Sequence, residues 1–237
     1  MWRSIMNLNH QQIKDFYNNE YYSSVMSSDL PWHQKKVISE LGDLAGKSVL
    51  DIACGSGDGI KYFLGLGAHV AGIDISERAV EVCRAALPKA QVHVGVAEIL
   101  PFDCDTYDVV TCFGSLEHFL DQPKALHEMH RVLKKPDGRA LFLVPNADFL
   151  TRKLGLYGGT NQSGVRETVY SIDQWKSLFE EAGFKVVHMY RDLRPMSKDW
   201  INRGTFLVKF VRLLQATALT IWPTRWQYQV YFLCKLA

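Results

Sequence analysis

The sequence predicts an α/β fold built on a doubly wound, largely parallel sheet. Three observations carry that prediction. First, residues 46–76, GKSVLDIACGSGDGIKYFLGLGAHVAGIDIS, read as a strand–helix–strand unit. Ser48 to Ala53 is a short apolar run that enters a glycine turn, Cys54-Gly55-Ser56-Gly57. Ile60, Phe63 and Leu64 then recur at helical spacing, Gly67 stops the helix, and His69 to Ile73 forms a second strand ending on Asp74. Second, Tyr107 to Phe113 stays apolar after Asp108, as a central parallel strand does. Third, strand-like runs at Gln91 to Gly95, Arg139 to Val144 and Phe184 to Tyr190 alternate with helical patterns from Ser76 to Leu87, Gln122 to Leu133 and Ser171 to Ala182. Punctuation agrees with these bounds: Ser76 and Ser171 are N-cap residues, Pro88 and Gly183 end helices, and Pro136-Asp137-Gly138 makes a turn.

The glycine turn lets a ligand approach the backbone closely. It is not a dinucleotide fingerprint. G-x-G-x-x-G needs glycine at position 60, where Ile60 stands, and Asp58 would repel a pyrophosphate at the helix N-terminus. A neutral or cationic nucleoside fits better. Asp74 can accept both hydroxyls of a ribose, and Asp51 reaches an ammonium directly or through water. A nucleoside with an amino-acid tail and no phosphate is S-adenosylmethionine.

The stretch VLDIACGSGDGIKYFLGLGAHVAGIDIS resembles the cofactor site of class I S-adenosylmethionine-dependent methyltransferases. LPFDCDTYDVVTCFGSLEHF and HRVLKKPDGRALFLVPN resemble the quinone- and sterol-type small-molecule branch of that superfamily. The resemblance covers roughly residues 30–191 and the C-terminal strand. It implies a seven-stranded Rossmann-like sheet with helices on both faces, whose last strand, here Trp226 to Leu236, runs antiparallel between strands five and six. It also implies a cofactor site made of Asp51, Ala53, Gly55, Gly57, Asp74, Ile75, Ala97, Glu98, Phe113 and Gly114, with His33 or Trp32 at the methionine end. Val96 stands where the family places an aspartate on the adenine amino group. A nucleotide-free flavodoxin-like sheet would explain the strands but not the acidic residues at both strand ends.

The 237 residues suit one domain with embellishments, and 47% hydrophobic content is that of a globular protein. A net charge of +2 is too small for bulk attraction to nucleic acid. Five scattered cysteines without a C-x-x-C pair predict neither a disulfide framework nor a zinc site, and suit a reducing cytoplasm. Glu117-His118 follows a Glu-x-x-Glu-His pattern of metal-dependent relatives, but its first glutamate falls on Gly114, so no metal is expected. The N-terminus lacks a cationic region followed by an apolar core, so no export signal is expected.

The C-terminal ends of parallel strands are where an open α/β sheet binds ligands. His118, just past strand four, is therefore the candidate base, with a backbone-bonded structural histidine as the alternative. Residues 1–30 are aromatic-rich, and Gln11 to Tyr22 is helical in pattern. This segment is either a lid or a helix packed on the domain, and Tyr17 and Tyr21 are its candidate acceptor contacts. Residues 147–169 lack periodicity and read as an acceptor loop. Arg152, Tyr157 and Arg166, with Glu117 and Asn146, complete the expected acceptor site.

Residues 192–225 form an insertion between the last two strands. Its 203–222 core, RGTFLVKFVRLLQATALTIW, has a wide apolar face and a narrow one carrying Lys209, Arg212 and Gln215. Three burial partners are open: the domain's own sheet, a second subunit of a homodimer, or a membrane surface, at which the basic face and the Phe and Trp residues would suit an interfacial helix. The expected function is O-methylation of a small or lipid-linked acceptor, such as a glycan sugar hydroxyl or a prenylated ring. N- or C-methylation and a non-catalytic cofactor-binding module are the alternatives.

Overall fold

The computed structural model describes residues 9–22, 28–155, 167–202, 204–218 and 222–237. Seven strands form one sheet: β1 Ser48–Ile52, β2 His69–Asp74, β3 Gln91–Val94, β4 Val109–Phe113, β5 Arg139–Pro145, β6 Phe184–Arg191 and β7 Gln229–Leu236. Their order is β3-β2-β1-β4-β5-β7-β6. β7 pairs antiparallel with both β5 and β6, and the strands from β3 to β5 pair parallel. The doubly wound sheet and its one reversed strand are as expected.

The helices are α1 His10–Phe16, α2 Trp32–Ile38, α3 Asp58–Gly65, α4 Glu77–Ala86, α5 Gln122–Val132, α6 Leu150–Lys153, α7 Ile172–Glu181, α8 Lys198–Ile201 and α9 Phe206–Ala218. They cover the sheet on both faces. Leu126 and Met129 of α5 and Trp175 and Phe179 of α7 bury Val110, Phe142 and Phe232. Val37 of α2, Ile60 and Phe63 of α3 and Val80 of α4 bury Val49, Val70 and Tyr231 on the other face. Burial on two faces explains why β4 reads as an apolar run. Ile60 has a specific seat: a Cβ on Gly72 of β2 would stand 2.6 Å from its Cδ1, so the glycine makes room for the helix.

Local chemistry sets several bounds. α1 has a reciprocal cap in which Asn9 and Gln12 exchange side-chain and backbone bonds. The expected helix from Gln11 to Tyr22 does not continue regularly. After Phe16 the chain opens into a wide π-helical turn, Tyr17–Tyr21. The last strand starts three residues later than expected, because Thr224–Trp226 closes a 3₁₀ turn after Pro223.

In the insertion's helix α9, Ala216 alone is buried. The helix leans on α8, where the Arg212 guanidinium lies 4.9 Å from the Trp200 ring centroid and donates to the Trp200 carbonyl. Its apolar side faces outward.

Candidate functional site

A cavity of about 500 Å³ opens at the C-terminal ends of β1, β2 and β4. Its floor begins where β1 ends. Ala53 has φ 56°, a left-handed conformation that costs a residue with a Cβ about 1–2 kcal/mol. That turn directs Gly55 and its N–H toward β2, where the N–H donates to Asp74 Oδ2 at 2.9 Å. Asp74 Oδ1 accepts from the Ser76 N–H at 2.8 Å. Each carboxylate oxygen keeps lone-pair capacity for a further donor. Burial pushes the Asp74 carboxyl upward, against the pull of those two backbone bonds. Gly57, with φ 92°, lies outside the cavity lining: a Cβ there would collide with Cys83, so this glycine seats α3 against α4.

Asp51, at the end of β1, is buried and accepts a bond from Thr111 Oγ1 at 2.6 Å. Desolvation raises its pKa to about 7, with the Thr111 bond opposing and the Asp74 charge adding to the rise. A carboxyl held this way gains most from a cation placed beside it. Gly59 leaves space at this point, since a Cβ there would lie 2.7 Å from Asp51 Oδ2.

The far wall is Gly95, Val96 and Ala97, then Phe113, Gly114, Ser115 and His118. The roof comes from the N-terminal segment: His10, Ile13, Tyr17, Tyr21 and Tyr22 line the cavity. Its attachment to α4 is polar. Ser76 Oγ donates to Asn18 Oδ1 at 2.7 Å, Arg78 Nε donates to the Tyr22 carbonyl at 3.1 Å, and Lys14 pairs with Glu77. Burial and the neighbouring Asp74 hold the Tyr22 hydroxyl far above its ordinary pKa, and burial does the same for Tyr17.

Of the residues named from sequence, Asp51, Ala53, Gly55, Asp74, Ile75, Ala97, Glu98, Phe113, Gly114, His118, Tyr17 and Tyr21 all line this cavity. Others have different work. His33 does not face the entrance. It is buried with Nδ1 3.4 Å from Asp192 Oδ1, because helical phase turns it to the core, and Gln34 lines the cavity instead. Asn146 is also buried. Its Nδ2 donates to the Arg225 and Gln227 carbonyls at 3.0 Å and its Oδ1 accepts from the Asp148 N–H, so both amide hydrogens are spent on the backbone. Glu98, within the lining, also fixes the turn before α5, its Oε1 accepting from the N–H groups of Leu120 and Asp121. Arg152 is exposed on α6. Tyr157 and Arg166 lie outside the described residues. Glu117 is buried in the 3₁₀ turn Leu116–His118, next to the lining rather than in it. Among the described residues its Oε2 has no hydrogen-bond partner, and desolvation raises its pKa to about 8.

Sequence reasoning missed His10, Ile13, Tyr22, Gln34 and Leu120. The three consecutive-turn aromatics signalled the first group. Nothing in the sequence marks Gln34, which the phase of α2 brings to the cavity, or Leu120, which arrives by loop geometry.

Known proteins agree with this architecture. Residues 29–189 match the family model described as a methyltransferase domain. The chain belongs to that family. It is a class I S-adenosylmethionine-dependent methyltransferase, and its cofactor is S-adenosylmethionine. It is 41% identical over 116 residues to a ubiquinone biosynthesis O-methyltransferase of Paraburkholderia phytofirmans, covering 47% of this chain and 50% of that one. The chain thus spans about half the length of that relative. It is 30% identical over 193 residues to an uncharacterized methyltransferase of Bacillus subtilis, YcgJ, covering 73% and 75%. Among solved structures, a chain of the Haloferax volcanii complex between the Trm112 methyltransferase activator and a methyltransferase superposes with TM-score 0.68 at 20% identity, covering 86% of this chain and 89% of that one.

The residues fit the cofactor. Asp74 suits a ribose diol, Asp51 suits a cationic amino-acid end, and the strained Ala53 turn exposes backbone between them. Val96 and Ala97 offer the adenine an apolar edge with backbone groups only. Among the described residues no group of three or more His, Cys, Asp or Glu is placed to hold a metal ion. None of the described helices is long and apolar enough to cross a membrane.

Proposed function

We propose that this methyltransferase methylates an oxygen of a small acceptor. The reading rests on one observation: a single cavity joins Asp51 and Asp74 to His118 beneath a roof of Tyr17, Tyr21 and Tyr22. The cofactor supplies a methyl group already activated by its sulfonium. What the protein adds is position. Asp74 and Asp51 fix the two ends of the nucleoside, and the aromatic roof holds the acceptor and keeps out water. Such alignment supplies much of the acceleration when a substitution needs the incoming atom in line. An alcohol oxygen also sheds its proton as its new bond forms, and a His118 ring nitrogen takes that proton. A nitrogen or carbon acceptor would demand less of a neutral base at this place. The similarity to ubiquinone biosynthesis O-methyltransferases supports oxygen as the acceptor atom.

Glu117 favours a second assignment of the base. Its buried carboxyl, whose Oε2 has no hydrogen-bond partner among the described residues, lies within charge range of Tyr17 and Glu167. With a pKa of about 8 it is protonated at neutrality and becomes a base only in alkali. The two readings separate on one pair of variants. His118→Ala should lower turnover by about 10²–10⁴ with cofactor affinity intact and remove the acidic limb of the pH–rate profile. Glu117→Gln should leave that limb in place. If instead His118→Ala turns over normally and Glu117→Gln is dead, the base is Glu117.

A further inference from the structure

The insertion puts apolar side chains where water is. Phe206 is 82% exposed, Leu207 74% and Phe210 54%, and Val211, Leu213 and Leu214 are exposed beside them. At 100° per residue these six occupy one continuous side of α9. The opposite side carries Arg212, tied to Trp200, and the buried Ala216. The helix is therefore clamped with its apolar side outward, by a charged residue facing in. A patch of this kind on an otherwise ordinary surface marks a contact site.

Charge identifies the contact. From residue 192 to 225 the chain carries Arg194, Lys198, Arg203, Lys209, Arg212 and Arg225 against Asp192 and Asp199. Of the 27 basic and 25 acidic residues, that leaves 21 and 23 for the rest of the molecule. The insertion is a cationic apolar surface on a slightly acidic body. An apolar ridge on a cationic insertion is complementary to an anionic lipid headgroup layer over an acyl interior.

Topology gives the contact a purpose. The insertion leaves β6 at Arg191 and returns through β7 at Gln229, which pairs with Pro145 at the end of β5. That is the edge of the sheet on which the cavity opens. Both stems are anchored there: Asp192 lies against buried His33 and accepts from the Arg194 N–H, and Asn146 holds the Arg225 and Gln227 carbonyls. We propose that the outward face of α9 docks this methyltransferase on an anionic lipid surface with its ligand edge toward the bilayer. An acceptor carrying an acyl or isoprenoid chain would then enter from the membrane. That consequence rests on the methyl-transfer reading; docking does not, and the test reads docking alone.

The test is co-sedimentation with vesicles of equal parts phosphatidylcholine and phosphatidylglycerol, and with pure phosphatidylcholine. The wild-type protein should pellet with the mixed vesicles at low salt, and binding should fall at least about tenfold at high salt or on pure phosphatidylcholine. Phe206→Ser/Phe210→Ser/Leu214→Ser should stay in the supernatant with its circular dichroism and cofactor affinity unchanged. Lys209→Glu should weaken binding without touching the apolar face. Phe210→Trp should shift its fluorescence to the blue on mixed vesicles, which keeps the proposal decidable if the triple variant folds poorly. Wild-type protein left in the supernatant at low salt overturns the proposal. So does a concentration-dependent dimer in sedimentation velocity that the triple variant dissociates without any vesicle binding, which would assign the face to a second copy.

Discussion

The ends of β1 and β2 and the insertion beyond β6 meet on the same edge of the sheet, and they are built in opposite ways. Around Asp51 and Asp74, charge is buried and held by Thr111, Gly55 and Ser76. Around α9, apolar side chains are exposed and the arginine faces in. The first region is finished before any ligand arrives, so its fixed dipoles can bind without rearranging. The second is finished only when something covers it. Substitutions in the first should therefore change ligand affinity strongly, and substitutions in the second should leave it alone.

The largest break in that contrast is Asp74→Ala. The ribose hydroxyls would lose a carboxylate acceptor, and each charged hydrogen bond of that type is worth about 1.5–3 kcal/mol. Cofactor affinity measured by calorimetry should fall at least about tenfold, approaching a thousandfold if both hydroxyls lose their acceptor. The same change orphans the Gly55 and Ser76 N–H groups. Asp74→Asn, which keeps one acceptor oxygen, should retain part of the affinity. An unchanged affinity in both variants would place the ribose elsewhere in the cavity.

The difference between the regions also governs what the sequence could tell. Asp51, the glycine turn, Asp74 and His118 were legible because strand ends in a parallel sheet deliver side chains to one edge, and period and register follow from local pattern. His33 and Asn146 were misplaced for one reason. A polar residue beside a ligand edge looks the same in sequence whether it meets a substrate or a backbone carbonyl. Here both hold the stems of the insertion, a long-range contact that no local period encodes. For α9 the apolar and basic faces were readable, but not which one the rest of the molecule would accept. The Arg212–Trp200 contact decided that, across twelve residues and a turn.

A smaller effect tests the buried charge at the end of β1. In the free protein Asp51 titrates at about 7, since burial disfavours its carboxylate. A cation bound beside it stabilises the carboxylate and lowers that pKa, so binding near neutrality must release a proton. Cofactor affinity should rise with pH up to about 7 and level above it, falling by at most about tenfold per unit on the acid side. Calorimetry in buffers of different ionisation enthalpy reads the proton directly. The same shift has a stability sign. The folded form holds this proton where the unfolded chain, with its carboxyl near the ordinary value of 3.8, has lost it. The ligand-free protein should therefore lose stability as pH climbs from about 4 to 7 and lose no more from this group above that. Asp51→Asn should flatten both profiles. A pH-independent affinity in the wild type would mean that no cation sits against Asp51.

The smallest expected effect lies at the other end of the edge. Phe206, Leu207 and Phe210 bury little in the folded monomer, so serine there removes no core contact. Each should move stability by no more than about 0.5 kcal/mol, mostly through helix propensity. Phe63, at zero exposure between α3 and the sheet, is the matched control, since Phe63→Ala should cost about 3–5 kcal/mol. Thermal denaturation followed by circular dichroism compares the two directly. If three serines on α9 lower the melting temperature as much as Phe63→Ala alone, the apolar face is covered by protein in solution. Its partner would then be a second copy or the domain itself. If the melting curve is unmoved, the face is free until a surface is offered to it, and the contrast between the two regions holds in solution.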